Sequence, residues 1–409
     1  MKLHELKTEV QKYQYFEDTK IIDVSLASIL ATRMKLGDPV WLVIIGASSG
    51  GKSQILRPLS LTDGKFIHRV DDLTENTFLS GAKVSKGEEN PSLLKKIGDH
   101  GLLVISDLTV LFSKSAESRA TILSQFRMLY DGEMIKYSGN SAKPIEWRGH
   151  LGVIAGSTPS LYRNFEEVAD MGERFIYYRM KEYDGHKATK LALERKIFGK
   201  ELDEKLSGFY AEYLKEVFMN AQDNNLEVKL SEEEEERIIQ VASFAERIRT
   251  AVSMDFKGDK IVRVPVPAMP MRVALQLMTI AKAIALMNHY ETGEMKLTEE
   301  NMLTIDWCGY SLANEEKRIC LKILASVDYN QYQTTSSIAD KLGLATSVTG
   351  LILQNLSAVG VVTRSGGEQE SGLSWAIASE VDWKIVRRIE GIEDIADVAS
   401  REITWEEED

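Results

Sequence analysis

The sequence has little cysteine, no long apolar run and no excess of positive charge, and each lack excludes a class of protein. Its 409 residues include two cysteines, Cys308 and Cys320, and both lie in helical apolar patterns. We therefore expect no disulfide framework and no cysteine-based metal site, and we expect both side chains to be buried as small hydrophobic groups. This cysteine usage fits a reducing cytoplasm.

Membrane insertion and secretion are not indicated either. No apolar stretch approaches the roughly 20 residues that cross a bilayer, and Met1 to Glu5 lack the apolar core of a signal peptide. We expect a cytoplasmic protein that does not bind membranes. A hydrophobic content of 44% supports ordinary buried cores, and the length allows two or three domains.

The net charge of −12 argues against a polycation that coats nucleic acid over its whole surface. Contact with DNA would therefore need a locally basic surface. The acidic residues are concentrated in Glu232 to Glu236 and in Glu406 to Asp409, and such runs are usually solvated surface.

What the sequence does contain is a complete phosphate-binding loop between the apolar run Val40–Ile45 and the helical pattern of Gln54–Leu61. Glycines let backbone N–H groups turn toward phosphates, the lysine reaches the β- and γ-phosphate oxygens, the serine can ligate Mg²⁺, and the helix start favours anions. The pattern predicts a site for ATP and Mg²⁺. Its predicted binding residues are Gly46, Ser48, Ser49, Gly50, Gly51, Lys52 and Ser53.

Five apolar runs separated by helical patterns predict the strands of one mainly parallel sheet, and thus an α/β fold. They are Val40–Ile45, Phe66–Val70, Leu102–Ile105, Leu151–Gly156 and Phe175–Met180. Long helical patterns follow the last of these runs. We expect an α/β core with N-terminal helices over residues 1–183, a helical lid over 184–313, a winged helix-turn-helix over 314–380 and an amphipathic acidic tail over 381–409.

The winged helix-turn-helix is predicted from three helical patterns and a hairpin. The helices are Glu316–Val327, Ser337–Leu342 and Thr346–Val359, and the hairpin joins Val361–Arg364 to Leu373–Ile377. The third helix carries mostly Thr, Ser, Gln and Asn, whereas helices that read DNA usually present Arg or Lys. Both DNA contact and a protein interface stay open for this unit.

The run Gly101–Asp107 is an apolar strand that ends in a carboxylate. In a parallel sheet this carboxylate lies at the edge that carries the phosphate loop, as a residue associated with Mg²⁺ must. Asp107 is therefore the predicted catalytic carboxylate and metal ligand.

Two more candidate catalytic residues lie next to the fourth and fifth predicted strands. Ser157-Thr158-Pro159 follows the fourth strand, where a hydroxyl can orient the attacking water or touch the γ-phosphate; without the other motifs, a strand-end cap would be the preferred interpretation. Arg174 comes directly before the fifth strand. It would lie far from its own nucleotide, but it can enter the site of a neighbouring subunit and add charge as the γ-phosphate leaves.

A β-hairpin is predicted from Asp131–Gly139 and Ile145–His150, which flank a turn just before the fourth strand. Lys136, Lys143 and Arg148 are available there for contacts with the phosphates of DNA. A solvated hairpin that packs on a neighbouring subunit explains the pattern equally well.

In this order, the motifs resemble those of AAA+ ATPases of the presensor-1 hairpin group. The chain is most similar to minichromosome-maintenance-like helicases and to phage or mobile-element ATPases that append a winged helix, over roughly Asp38–Met180 and the helix that begins Pro270-Met271-Arg272. The resemblance implies Thr158 as the sensor-1 residue, Arg174 as the arginine finger and Arg272 as the sensor-2 arginine. It also implies a ring or spiral of subunits, expected to be a hexamer.

One position departs from the family pattern. Aligned on Gly101, Asp107 takes the position of the family's catalytic Glu, and Ser106 stands where the metal-associated Asp would be. Asp107 would then serve both the metal and the water, which would make hydrolysis slow.

We therefore expect an oligomeric, Mg²⁺-dependent ATPase that acts on DNA, as a helicase or replication-type motor of a phage or mobile element. The alternative is an ATP-switched regulator or scaffold whose winged helix binds a partner protein or operator DNA. Net acidity and Ser106 favour this alternative.

Overall fold

The computed structural model describes residues 1–48, 50–80, 92–137, 144–164, 174–181, 184–250, 252–254, 261–264, 266–328, 331–365 and 373–392. The chain divides into two compact units. The first comprises Met1–Glu236 and Arg272–Cys308, and the second comprises Arg237–Met271 and Gly309–Asp409.

The first unit contains seven strands among the described residues. They are β1 (Trp41–Ile45), β2 (Ile67–Val70), β3 (His100–Ile105), β4 (Glu133–Lys136), β5 (Ile145–Arg148), β6 (His150–Ser157) and β7 (Ile176–Arg179). Its helices begin with α1 (Leu3–Gln11), α2 (Lys20–Met34), α3 (Lys52–Ser60), α4 (Leu93–Ile97), α5 (Ala116–Tyr130), α6 (Gly185–Glu194) and α7 (Gly199–Asp223). The boundaries between the units fall within the next three helices, α8 (Glu232–Arg249), α9 (Met271–Thr292) and α10 (Glu299–Tyr310).

A five-stranded, all-parallel sheet in the order β2-β3-β6-β1-β7 lies at the centre of the first unit. The predicted α/β class and the five predicted strands are confirmed, with ends that shift by one or two residues. The central strands are apolar and buried, since helices cover both faces of such a sheet. Trp41 anchors one face, where its ring packs 5.1 to 5.5 Å from the rings of Phe126, Tyr130 and Phe175.

The strand order determines which loops meet. Strand β6 lies between β1 and β3, with Ile45 opposite Ser157 and Ile105 opposite Ala155. The next strands of this sheet along the chain after β1 are β2 and β3, which lie on one side of β6. The next strand after β6 is β7, which lies on the opposite side of β1. The carboxyl ends of β1 and β6 therefore form a topological switch point, the usual position of a ligand crevice in open α/β sheets.

The second unit contains the antiparallel pair β8 (Ser253–Met254) and β9 (Ile261–Arg263), followed by three helices, α11 (Glu315–Ala325), α12 (Thr335–Leu342) and α13 (Thr346–Ala358). An antiparallel sheet follows in the order β10-β12-β11, made of β10 (Gln333–Thr334), β11 (Val362–Ser365) and β12 (Ser374–Ile377). The Thr334 hydroxyl caps α12 by accepting from Ser337 N, and Gly343 ends this helix at a φ of 68°. These helices and the hairpin occur where the sequence predicts them.

The last described helix, α14 (Trp383–Glu390), is held to α11 by Arg387, whose guanidinium donates to Ala325 O at 3.0 Å. Most of the predicted acidic tail lies outside the described residues. Across the part of the chain that is described, no helix combines the length and the apolar character needed to span a bilayer. Cys308 and Cys320 are both buried free thiols, as expected from the sequence.

Candidate nucleotide site

The predicted phosphate-binding loop connects β1 to α3 at the carboxyl edge of the sheet. Gly46 N donates to Ser157 O at 3.2 Å, and Gly50 N donates to Ala47 O at 3.0 Å. A Cβ on Gly50 would lie 2.8 Å from Ala47 O, and Gly51 has a φ of 84° at the start of α3. Only glycine fits both positions without strain. Ser49 lies outside the described residues.

Lys52, the first residue of α3, extends its side chain back into the loop. Its ammonium donates to Gly46 O at 2.7 Å and to Ala47 O at 2.6 Å, and the residue is 9% exposed. Burial lowers the pKa of Lys52, while the Asp107 carboxylate acts in the opposite direction. The cation is therefore held inside the loop, within the electrostatic reach of Asp107. Ser48, in the loop, and Ser53, in the first turn of α3, are both exposed.

Asp107 is the second residue after β3, at the same edge. Its Oδ1 accepts from Thr109 N at 2.9 Å and from Thr109 Oγ1 at 2.5 Å, which caps the short 3₁₀ helix Leu108–Ser113. These contacts fix the orientation of the carboxylate and leave the residue half-buried.

Thr158 follows β6, between the ends of β1 and β3. Its Oγ1 shares a 2.6 Å hydrogen bond with Ser160 Oγ, and Ser157 Oγ donates to Thr158 O at 3.2 Å. The structure thus brings the loop, Lys52, Ser53, Asp107 and Thr158 to one edge of the sheet.

These side chains fit a magnesium ion held mainly by a bound nucleotide. Ser53 and Asp107 offer the oxygen ligands that Mg²⁺ prefers. Among the residues that the structure describes, no three His, Cys, Asp or Glu side chains come together as a ligand set. Mg²⁺ usually takes one or two protein ligands and completes its shell with phosphate oxygens and water.

Arg174 and Arg272 lie at the opposite edge of the sheet, where the parallel strands begin. Arg174 is 6% exposed, and its Nη2 donates to both carboxylate oxygens of Asp131 at 3.0 and 3.1 Å. Burial lowers the pKa of Arg174, Asp131 opposes that effect, and the nearby charge of Arg272 adds to it. The five residues of β1 separate this edge from the loop by about 16 Å.

The predicted hairpin is present as β4 and β5, with Met134 paired to Trp147. The Lys136 ammonium is engaged within the protein, because it donates to Leu79 O at 2.9 Å, Asn76 Oδ1 at 2.7 Å and Glu75 O at 3.3 Å. Arg148 forms a 2.6 Å ion pair with Glu133 on the paired strand. Lys143 lies outside the described residues.

Sequence reasoning missed one acidic residue at the nucleotide edge, Asp71. It directly follows β2, and its Oδ1 accepts from Ser106 Oγ and, at 2.9 Å, from Arg69 Nη2. The signal was present, because Asp71 directly follows the second predicted strand, and Ser106 and Asp107 follow the third. What the pattern lacked was the information that β2 and β3 are neighbours.

No protein-family model matches this chain, and no curated protein is significantly similar to it.

Proposed function

We propose that this chain is an oligomeric AAA+ ATPase that uses ATP and Mg²⁺. The observation that carries the proposal is the position of the Lys52 ammonium, which is held inside a glycine loop at the switch point of a parallel sheet. At the same edge, Thr158 follows the neighbouring strand β6, and Asp107 comes after β3, the next strand along. Loops of this construction present a lysine and backbone N–H groups to the β- and γ-phosphates of a nucleotide.

Each residue at this edge has a role in the proposed reaction. Lys52 and the N–H groups at the start of α3 hold the β- and γ-phosphates, and Ser53 and Asp107 hold the metal, which neutralises charge on the phosphates. Asp107 accepts a proton from the water that attacks the γ-phosphorus, and the bond to the β-phosphate oxygen breaks to release ADP. Thr158 orients that water.

The positions of the two arginines support an assembly of several copies. Arg174 lies about 16 Å, one strand length, from its own loop, and Arg272 is close enough to influence the pKa of Arg174, so a neighbouring subunit is the better place for either to stabilise a γ-phosphate. A ring or spiral, with a hexamer as the expected form, provides such a neighbour. Arg174 would have to leave Asp131 to reach it.

We further propose that the protein acts on DNA as a helicase or replication-type motor of a phage or mobile element. In this proposal the helices from residue 184 to 313 form the AAA+ lid, and α11 to α13 with the β11–β12 hairpin form a winged helix. The β4–β5 hairpin would face the central pore.

The second candidate is an ATP-switched regulator or scaffold. It is favoured by the contacts of the β4–β5 hairpin, in which Lys136 and Arg148 already have partners within the protein. The net charge of −12 favours it as well.

The two candidates differ in how DNA affects turnover. We would measure ATP hydrolysis with and without single-stranded DNA, together with the mass of the assembly with and without nucleotide. Strong stimulation by DNA supports the motor. Nucleotide-dependent assembly without DNA stimulation supports the regulator, and a chain that neither hydrolyses ATP nor assembles on binding it contradicts both.

A further inference from the structure

Ser106 occupies the position at which the AAA+ pattern has a metal-associated aspartate, and a serine hydroxyl carries no charge. In the structure a carboxylate from the next strand lies against it. Strands β2 and β3 pair in parallel with Val70 opposite Ile105, so the residues that follow them, Asp71 and Ser106, are neighbours at the nucleotide edge. The Ser106 hydroxyl donates a hydrogen bond to Asp71 Oδ1.

Arg69, on β2, holds this pair in place. Its Nε donates to Ser106 Oγ at 3.0 Å and to Asp71 Oδ1 at 3.0 Å, and its Nη2 donates to the same carboxylate oxygen at 2.9 Å. The hydrogen bond from Ser106 lowers the pKa of Asp71 most, and Arg69 lowers it further. Asp71 is thus an ordered carboxylate, although its side chain is 62% exposed.

The direction of these hydrogen bonds determines which further hydrogen bond the Ser106 hydroxyl can form. A serine hydroxyl has one donor and two acceptor lone pairs. Its donor goes to Asp71 and one lone pair receives the Arg69 N–H, which leaves the second lone pair to accept from a water molecule. A hydroxyl that donates to a carboxylate becomes a better acceptor, because linked hydrogen bonds polarise one another.

We propose that Asp71 is a positioning residue for Mg²⁺, which acts through the Ser106 hydroxyl on a water bound to the metal, at the position where the serine itself offers no carboxylate. The proposal rests on the proposed nucleotide site of Lys52, Ser53 and Asp107. Outer-shell partners of this kind typically contribute tenfold to a hundredfold to metal affinity.

The chain offers a matched control at the next residue. Asp72 has the same charge as Asp71 and nearly the same exposure, 61%, but it pairs with Lys114 at 2.8 Å. Asp71→Asn and Asp72→Asn therefore remove the same charge from adjacent positions, and only the first breaks the contact with Ser106.

The test measures metal dependence separately from turnover. A fluorescent, non-hydrolysable ATP analogue is bound to the full chain, first in EDTA and then along a Mg²⁺ titration. We expect Asp71→Asn to raise the Mg²⁺ concentration at half-saturation at least about tenfold and to leave the affinity in EDTA unchanged, while Asp72→Asn stays within about twofold of the wild type.

A second variant tests the route through Ser106. Ser106→Asp places a carboxylate directly at the family position, so adding Asp71→Asn to it should cause no further loss of Mg²⁺ affinity.

A full tenfold loss of Mg²⁺ affinity on adding Asp71→Asn to Ser106→Asp would overturn the proposal. Equal Mg²⁺ titrations for Asp71→Asn and Asp72→Asn would also overturn it, as would an equal loss of affinity in EDTA, which indicates a structural role. If the wild type binds no analogue under either condition, the proposed function fails as well. If the wild type binds the analogue and Asp71→Asn has the same Mg²⁺ dependence as the wild type, only this inference fails.

Discussion

Replacing Gln276 by leucine tests how α9 holds the edge of the sheet that carries Arg174. The Gln276 side chain is fully buried. Its Oε1 accepts from Trp41 N at 2.9 Å, and its Nε2 donates to Arg174 O at 3.0 Å. One amide thus satisfies the backbone at the start of β1 and the backbone two residues before β7.

Leucine has a similar size but can make neither hydrogen bond. The Trp41 N–H and the Arg174 carbonyl would both lose a partner, and an unsatisfied buried polar group costs about 1–3 kcal/mol. The added apolar side chain offsets part of this cost, so we expect the free energy of unfolding of the first unit to fall by about 2–4 kcal/mol. For a unit of this size, that corresponds to a fall in Tm of about 3–7 °C.

Thermal unfolding followed by circular dichroism, at equal protein concentrations and without nucleotide, measures this effect. Gln11→Leu is the control, because Gln11 is exposed and its amide makes one hydrogen bond, to Phe16 O at 3.2 Å. The control should cost less than about 1 kcal/mol. If the two variants unfold at the same temperature, the bridge through Gln276 does not contribute as the geometry implies.

Two further predictions concern the residues that the proposed assembly uses. Arg174→Ala should leave ATP binding nearly intact and reduce turnover by about a thousandfold; mixing it with Asp107→Asn subunits, which keep their own arginine, should restore some turnover, and no rescue in demonstrably mixed assemblies would contradict a shared site. Joint replacement of Lys136, Lys143 and Arg148 by alanine should weaken DNA binding and flatten its salt dependence, because each lost phosphate contact removes close to one released counterion. Equal affinities and parallel salt slopes for this variant and the wild type would favour the regulator.

The elements of the fold could be predicted from the sequence because their signals are local. A buried parallel strand needs a short apolar run, and Trp41–Ile45 and its partners in the sheet are such runs. The phosphate loop is equally local, since its glycines and Lys52 act within eight consecutive residues. Helix α12 likewise begins and ends at residues that its sequence marks, Thr334 and Gly343.

The remaining features of the site depend on residues that are distant along the chain. The contact of Ser106 with Asp71 requires β2 and β3 to be adjacent, and no local pattern gives the order of strands. Arg174 is buried because Asp131 and Gln276, 43 and 102 residues away, meet it in the fold. A side chain that a motif presents as available can therefore be held by a partner that the motif does not contain.

Binding of ATP by Lys52→Ala tests the central claim most directly. The variant removes the cation that would neutralise the β- and γ-phosphates, and Lys65→Ala, at an exposed lysine outside the loop, is the control. Equilibrium binding of ATP with Mg²⁺ should be lost in Lys52→Ala and unchanged in Lys65→Ala. Wild-type affinity for ATP in Lys52→Ala would contradict the nucleotide site and the function built on it.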